Sequence, residues 1–105
     1  MARTLARVSA SNRDRIDIIA SILDAANGGA TRRRILLISG LSNSQFKRYL
    51  TLLIRDGYIR IEIRNENKRR FYVTTGKGLA LLHAYGRVIE LFQYEGLHQI
   101  AADLL

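Results

Sequence analysis

The chain has 105 residues, 48% of them hydrophobic, and a formal net charge of +8 from 17 Lys and Arg against nine Asp and Glu. That length suits one compact domain, and that apolar content excludes a chain disordered throughout. No apolar run nears the roughly 18 residues that span a bilayer, the start MARTLARVSASNR has no signal-peptide core, and the lack of cysteine removes disulfides and thiolate metal sites; a cytoplasmic protein is the expectation.

Residues 1–10 are mixed and unpatterned, as in a flexible tail. From Ser11 onward Ile16, Ile19, Leu23 and Ala26, with Ile22 beside them, recur at helical spacing. Asn27–Gly29 ends this helix, because Asn and Gly tolerate the left-handed backbone at a helix C-terminus. Thr31 is the expected N-cap of a short second helix, RRRILLIS, which stops at Gly40. Ile35 and Ile38, widened by Leu36 and Leu37, form its expected buried face. In the following GLSNSQFKRYL, Ser42 and Gln45 fit a capping box, and Leu41 and Phe46 hold the positions of a hydrophobic staple. This third helix runs to about Asp56 and ends at Gly57, with Phe46, Leu50, Leu53 and Ile54 on one face. Ser44, Arg48, Thr51 and Arg55 share the opposite face, with Lys47 on its flank.

The period then changes. YIRIEIR alternates Ile59, Ile61 and Ile63 with Arg60, Glu62 and Arg64, as in a half-buried strand with its isoleucines inward. NENK is a polar turn, and RRFYVTT returns with Phe71 and Val73 inward. The expected product is an antiparallel hairpin with Arg64, Lys68, Arg69 and Arg70 crowded near its tip. A final helix from Thr75 to Glu95 carries Leu79, Leu82, Tyr85, Ile89 and Phe92 at spacings of 3, 3, 4 and 3, close to a coiled-coil seam. Gly96 interrupts it before LHQIAADLL. The fold class is mainly α with a small β-hairpin (α+β), a tail over 1–10, a domain over 11–75 and a C-terminal helix over 76–105.

Catalytic chemistry finds no foothold. GKGLA (Gly76–Ala80) lacks the upstream glycine and spacing of a phosphate-binding loop. His83 and His98 have no nearby carboxylate cluster at metal-ligand spacing, and Ser39, Ser42 and Ser44 have no His–Asp partnership. No cofactor, metal or small-molecule ligand is implied. Charge is more informative: residues 1–77 hold 16 of the 17 bases against six acids, a net +10, whereas residues 78–105 hold one base and three acids, a net −2. A basic body with a near-neutral tail faces a polyanion on one side and something apolar on the other.

Helix, short helix, tight turn, basic amphipathic helix and hairpin is the element order of a winged helix-turn-helix, in which the third helix enters the major groove and the hairpin lies over the backbone or minor groove. Lys47 and Arg48 can donate to guanine N7 and O6, while Asn43, Ser44 and Thr51 can reach base edges or phosphates, with Arg55 on the same stripe. The helix N-terminus favours a phosphate near Ser42 and Asn43, and Arg32 and Arg33 stand where further phosphate contact is expected. Leu79, Leu82, Tyr85, Ile89 and Phe92 could fold back on the domain's own core or pack against the same helix of a second chain, and the low charge of the tail with its large apolar residues favours the second.

The segments RDRIDIIASILDAANGGATRRRILLISGLSNSQFKRYLTLLIRDGYI and FYVTTGKGLALL share a set of motifs: a Leu-Ser-x-x-Gln turn, a Tyr-Leu-x-x-Leu helix, Gly-Tyr-Ile, and Thr-x-x-Gly before the last helix. Over residues 13–92 this pattern resembles the archaeal winged-helix DNA-binding proteins of the Sulfolobus ten-kilodalton chromatin type and related archaeal winged-helix regulators. The resemblance implies a recognition helix at Asn43–Arg55, a wing at Arg64–Arg70, and an antiparallel coiled-coil dimer through the helix that begins at Thr75. It implies duplex DNA binding, often with little sequence preference, by a nucleoid-associated regulator or chromatin protein. A protein-docking module and an RNA-binding protein on the same fold are the alternatives, the second disfavoured by the few aromatic residues on the basic face.

Overall fold

The computed structural model describes residues 15–64 and 67–93, with side chains as far as Leu91. The tail over 1–10, the helix start at Ser11, the Phe92 side chain and everything from Tyr94 on, Gly96 included, lie outside the described residues. The described elements are α1 (helical over 15–25), α2 (Arg32–Ser39), α3 (Asn43–Arg55), β1 (Ile59–Arg64), β2 (Arg69–Thr74) and α4 (Gly76–Gln93).

The helix boundaries follow from local chemistry. Gly28 and Gly29 take φ of +83° and +102° after α1, a region in which a Cβ is strained. The Thr31 side chain accepts from the Arg34 N–H at 3.3 Å, and Gly40, at φ 67°, returns its own N–H to the Leu36 carbonyl. At α3 the capping box closes in both directions: Gln45 N–H donates to Ser42 Oγ at 3.2 Å, and Ser42 N–H to Gln45 Oε1 at 3.3 Å. These bonds satisfy donors that the first helical turn leaves orphaned.

The core gathers Ile22, Leu23 and Ala26 of α1, Ile35 of α2, Phe46, Leu50 and Leu53 of α3, and Ile59 and Tyr72 of the hairpin. Phe46, 1% exposed, meets Tyr72 edge-on with centroids 6.5 Å apart. Such a phenylalanine is worth roughly 3–5 kcal/mol against alanine. The face expected for α2 is narrower than its apolar content suggests. Only Ile35 is buried; Ile38 is half exposed and Leu37 is 82% exposed. At 100° per residue Leu37 points about 200° away from Ile35, so one short helix cannot bury both.

β1 and β2 pair antiparallel in the register Ile59↔Thr74, Ile61↔Tyr72 and Ile63↔Arg70. Ala30 exchanges both backbone hydrogen bonds with Tyr72 on the far side of β2, so β2 is bonded on both edges at this point. That position explains why Tyr72, Val73 and Thr74 are all buried, where the alternation had pointed to Phe71 and Val73 alone. The inward isoleucine face is a correction too. Ile59 is buried, but Ile61 and Ile63 are 44% and 56% exposed. Their face is covered by α3 at the base of the hairpin and runs out into solvent towards the tip.

VTTGKG, from Val73 to Gly78, is a junction. Buried Thr74 donates its hydroxyl to the Leu23 carbonyl at 2.6 Å, and Thr75 donates to the Gly57 carbonyl at 2.6 Å while accepting from Gly78 N–H. Lys77 reaches the Asp56 carbonyl at 2.8 Å and lies over the Tyr58 ring. A Cβ on Gly78 would sit 2.3 Å from the Tyr58 carbonyl oxygen, so only glycine lets α4 approach β1 this closely. The base of the hairpin is thereby tied to α1, to the end of α3 and to the start of α4.

Candidate nucleic-acid interface

The capping box fixes where α3 starts, and Phe46, Leu50 and Leu53 fix which way it faces. The opposite surface carries Ser44, Lys47, Arg48, Thr51 and Arg55, all exposed. The Lys47 and Arg48 side chains make no hydrogen bond or ion pair among the described residues, so both cations stand available to a ligand. Arg55 is bound at 3.1 Å to Asp56, with both side chains largely in solvent; such a pair is weak and readily exchanged. Thr51 is less available than expected, because its hydroxyl donates to the Lys47 carbonyl at 2.7 Å. Ser42 is occupied as a cap and also meets Ser44 Oγ at 3.3 Å.

At the α2–α3 corner, Arg32 donates to Asn43 Oδ1 at 3.2 Å and lies 5.7 Å from the centre of the Phe46 ring. The guanidinium braces the start of α3 while staying on the surface beside Arg33, which is exposed.

The wing separates into two kinds of arginine. Lys68, Arg69 and Arg70 are exposed near the tip, with Lys68 in the left-handed region at φ 53° and Arg69 over the edge of Phe71. Arg64 differs. Its Nε donates to Glu62 Oε1 at 2.7 Å, its Nη2 donates to the Gly28 carbonyl at 3.2 Å, and its guanidinium stands 4.8 Å from the Phe71 ring centre. Gly29 leaves room for this group, since a Cβ there would lie 2.7 Å from Arg64 Nη2. The hydrogen bond from Arg64 holds the Glu62 carboxyl below its usual value; desolvation opposes it, and the charges of Arg64 and then Arg60 add smaller pulls in the same direction as the hydrogen bond. Arg64 therefore ties the wing to the α1–α2 turn, a role that needs long-range contacts to recognise.

On α4 the expected seam residues divide. Leu82 packs against the core, and the Tyr85 hydroxyl donates to the Asp17 carboxylate of α1. Ile89 is half-buried on the same line, whereas Leu79 is exposed. An adjacent stripe of Leu81, Ala84, Val88 and Leu91, spaced 3, 4 and 3, is exposed along its length. No helix among the described residues is long and apolar enough to cross a membrane.

Comparison with known proteins agrees with this architecture. Residues 12–93 match a winged helix-turn-helix family. Among solved structures the chain is similar to Sso10a-2, a DNA-binding protein from Sulfolobus solfataricus, at 22% identity and a TM-score of 0.68, over 85% of this chain and 90% of that one. It is also similar to a MarR family transcriptional regulator from Silicibacter pomeroyi (19% identity, TM-score 0.61, 97% of this chain and 74% of that one). A MarR protein from Peptoclostridium difficile follows (18% identity, TM-score 0.58, 98% and 78%). No curated protein sequence matches the chain. With the family match covering every described element of the fold, the chain belongs to the winged helix-turn-helix family.

Proposed function

We propose that this protein binds double-stranded DNA as a homodimer and serves as a transcriptional regulator or nucleoid-associated chromatin protein. The observation that carries the reading is α3: one face is locked into the core, and the other offers Lys47 and Arg48 as exposed cations without partners among the described residues. A helix held this way and flanked by a basic wing can enter the major groove, with Arg48 and Lys47 at base edges or phosphates and Lys68, Arg69 and Arg70 over the neighbouring backbone. Arg33 and the exposed end of Arg32 add phosphate contacts beside the start of α3. Sso10a-2 is a DNA-binding protein and the MarR neighbours include a transcriptional regulator, which supports the same reading.

The dimer is supported by the exposed stripe of Leu81, Ala84, Val88 and Leu91, since an apolar row at heptad spacing is stable in water when a second helix covers it. Two copies would double the phosphate contacts and set the distance between two recognition helices.

Competition among duplex DNA, single strands and structured RNA at fixed salt tests the ligand class. Duplex should win, and log affinity should fall steeply with log salt as counterions leave each neutralised phosphate. Arg48→Ala should weaken duplex binding well beyond Arg87→Ala on α4. A flat salt dependence, or equal effects of the two substitutions, would overturn the interface and leave a protein-docking role.

A further inference from the structure

Within its basic stripe α3 carries a patch of carbon. The Thr51 hydroxyl is turned back onto the Lys47 carbonyl, so the residue offers a ligand its methyl more than its donor. Leu52, next in sequence, is 41% exposed although Phe46, Leu50 and Leu53 of the same helix are buried. Ser44, Lys47, Arg48, Thr51 and Leu52 together line an open, shallow depression of about 410 Å³, and its walls are mostly carbon. No other element of the described chain lines this depression.

Two features narrow its occupant. The rim carries the cations Lys47 and Arg48, which have no partner among the described residues and call for an anionic ligand. The floor is apolar, which calls for a ligand with a small hydrocarbon group close to its negative charge. In the major groove of duplex DNA, base edges are polar except at thymine, whose C5-methyl group projects into the groove a few ångströms from the phosphates. RNA offers neither the methyl nor an accessible major groove.

We propose that Thr51 and Leu52 form a subsite for the thymine C5-methyl group, with Arg48 and Lys47 holding the flanking base edge or phosphate. The assignment rests on the duplex-binding reading above and adds a preference to it. The protein favours duplexes that bear major-groove methyl groups, and Leu52 is the residue that determines it.

The test compares duplexes that differ only in that methyl. Fluorescence anisotropy at fixed salt measures binding to an alternating A·T duplex and to its deoxyuridine counterpart, then to a G·C duplex with and without 5-methylcytosine. The methylated member of each pair should bind about fourfold more tightly per contacted base, the factor that burial of one methylene-sized group commands. Leu52→Ala should bring the ratio close to one without changing the salt slope. Thr51→Ser, which keeps the hydroxyl and its bond to Lys47 but lacks the methyl, should lower the ratio in part. Steep, salt-dependent duplex binding with a ratio of one in the unmodified protein would overturn the methyl subsite and leave the DNA-binding reading standing. Loss of duplex preference altogether would overturn that reading instead. A full ratio retained by Leu52→Ala would also overturn the assignment. So would a change in sedimentation with no change in ratio, which would make the patch a contact between copies of this chain.

Discussion

Substituting Glu62 by Gln removes a negative charge from a protein of net charge +8, so long-range electrostatics alone requires tighter DNA binding. The geometry of the wing requires the opposite. Arg64 joins Glu62, the Gly28 carbonyl and the Phe71 ring, and a neutral amide holds a guanidinium less firmly than a carboxylate does. The stake is set by the rest of the Arg64 cluster. Its hydrogen bond to Gly28 contributes about 1 kcal/mol, and its position on Phe71 about 0.5–1 kcal/mol in a half-exposed site. Loss of both in Arg64→Ala shifts the docking equilibrium of the wing by about 1.5–2 kcal/mol, or roughly ten- to thirtyfold. Duplex affinity cannot fall through this route by more than the docked fraction falls, so that range is a ceiling.

Anisotropy titrations at low and physiological salt, paired with hydrogen exchange at the β1–β2 amides, measure both sides of the argument. Glu62→Gln should bind duplex more weakly than the unmodified protein and exchange faster in the hairpin. In the Arg64→Ala background the same change should weaken nothing further. The pH dependence has a definite sign. The carboxyl of Glu62 is held below its usual value, so the tie is fully present above the ordinary carboxylate range and is lost only as pH falls through the lowered value. The Glu62 contribution to binding should therefore be constant from neutral pH down to the ordinary carboxylate range. Tighter binding by Glu62→Gln would refute the tie and return Arg64 to the set of residues that touch phosphate.

Thr74→Val keeps the shape of a buried residue but strips the Leu23 carbonyl of its 2.6 Å hydroxyl donor. The loss should be about 1–3 kcal/mol, read in thermal unfolding at roughly 4–8 °C per kcal/mol; an unchanged Tm would mean that water replaces the donor. Gly78→Ala and Gly86→Ala form a pair within one helix. The first places a Cβ 2.3 Å from the Tyr58 carbonyl and should destabilise by more than about 1 kcal/mol, whereas the second meets nothing within 4 Å and should stabilise by up to about 1 kcal/mol through helix propensity. Equal effects would contradict the close approach of α4 to β1. Val88→Glu puts a charge in the exposed stripe of α4 and should yield a folded monomer by sedimentation, with weaker duplex binding; a variant that stays dimeric would place the interface elsewhere.

What the sequence disclosed and what it withheld divides along the range of the interactions. Caps were legible because Thr31, Gly40, Ser42 and Gln45 each act within four residues of the backbone group they satisfy. The third helix was legible because its buried and exposed faces follow one period. In the sequence Arg64 is one cation among several at the hairpin tip, since its decisive partner, the Gly28 carbonyl, lies 36 positions away in the chain. The Asn-Gly-Gly turn likewise showed its need for positive φ but not its second duty, which is to leave space for that guanidinium. Ile61 and Ile63 alternate as buried residues do, yet alternation records only which side a residue is on, and burial depends on how far the covering helix extends.

The last helix sharpens the same point. It bears two apolar stripes side by side, Leu82–Tyr85–Ile89 and Leu81–Ala84–Val88–Leu91, and both satisfy helical spacing. Periodicity cannot assign one to the protein's own core and the other to a second chain. The tertiary structure makes part of that choice through α1: the core takes up Leu82, and Asp17 receives the Tyr85 hydroxyl. A dimer through α4 would have the exposed Leu81, Val88 and Leu91 available to it, a line rotated roughly 100° around the helix from Leu82 and Tyr85, together with the exposed Leu79.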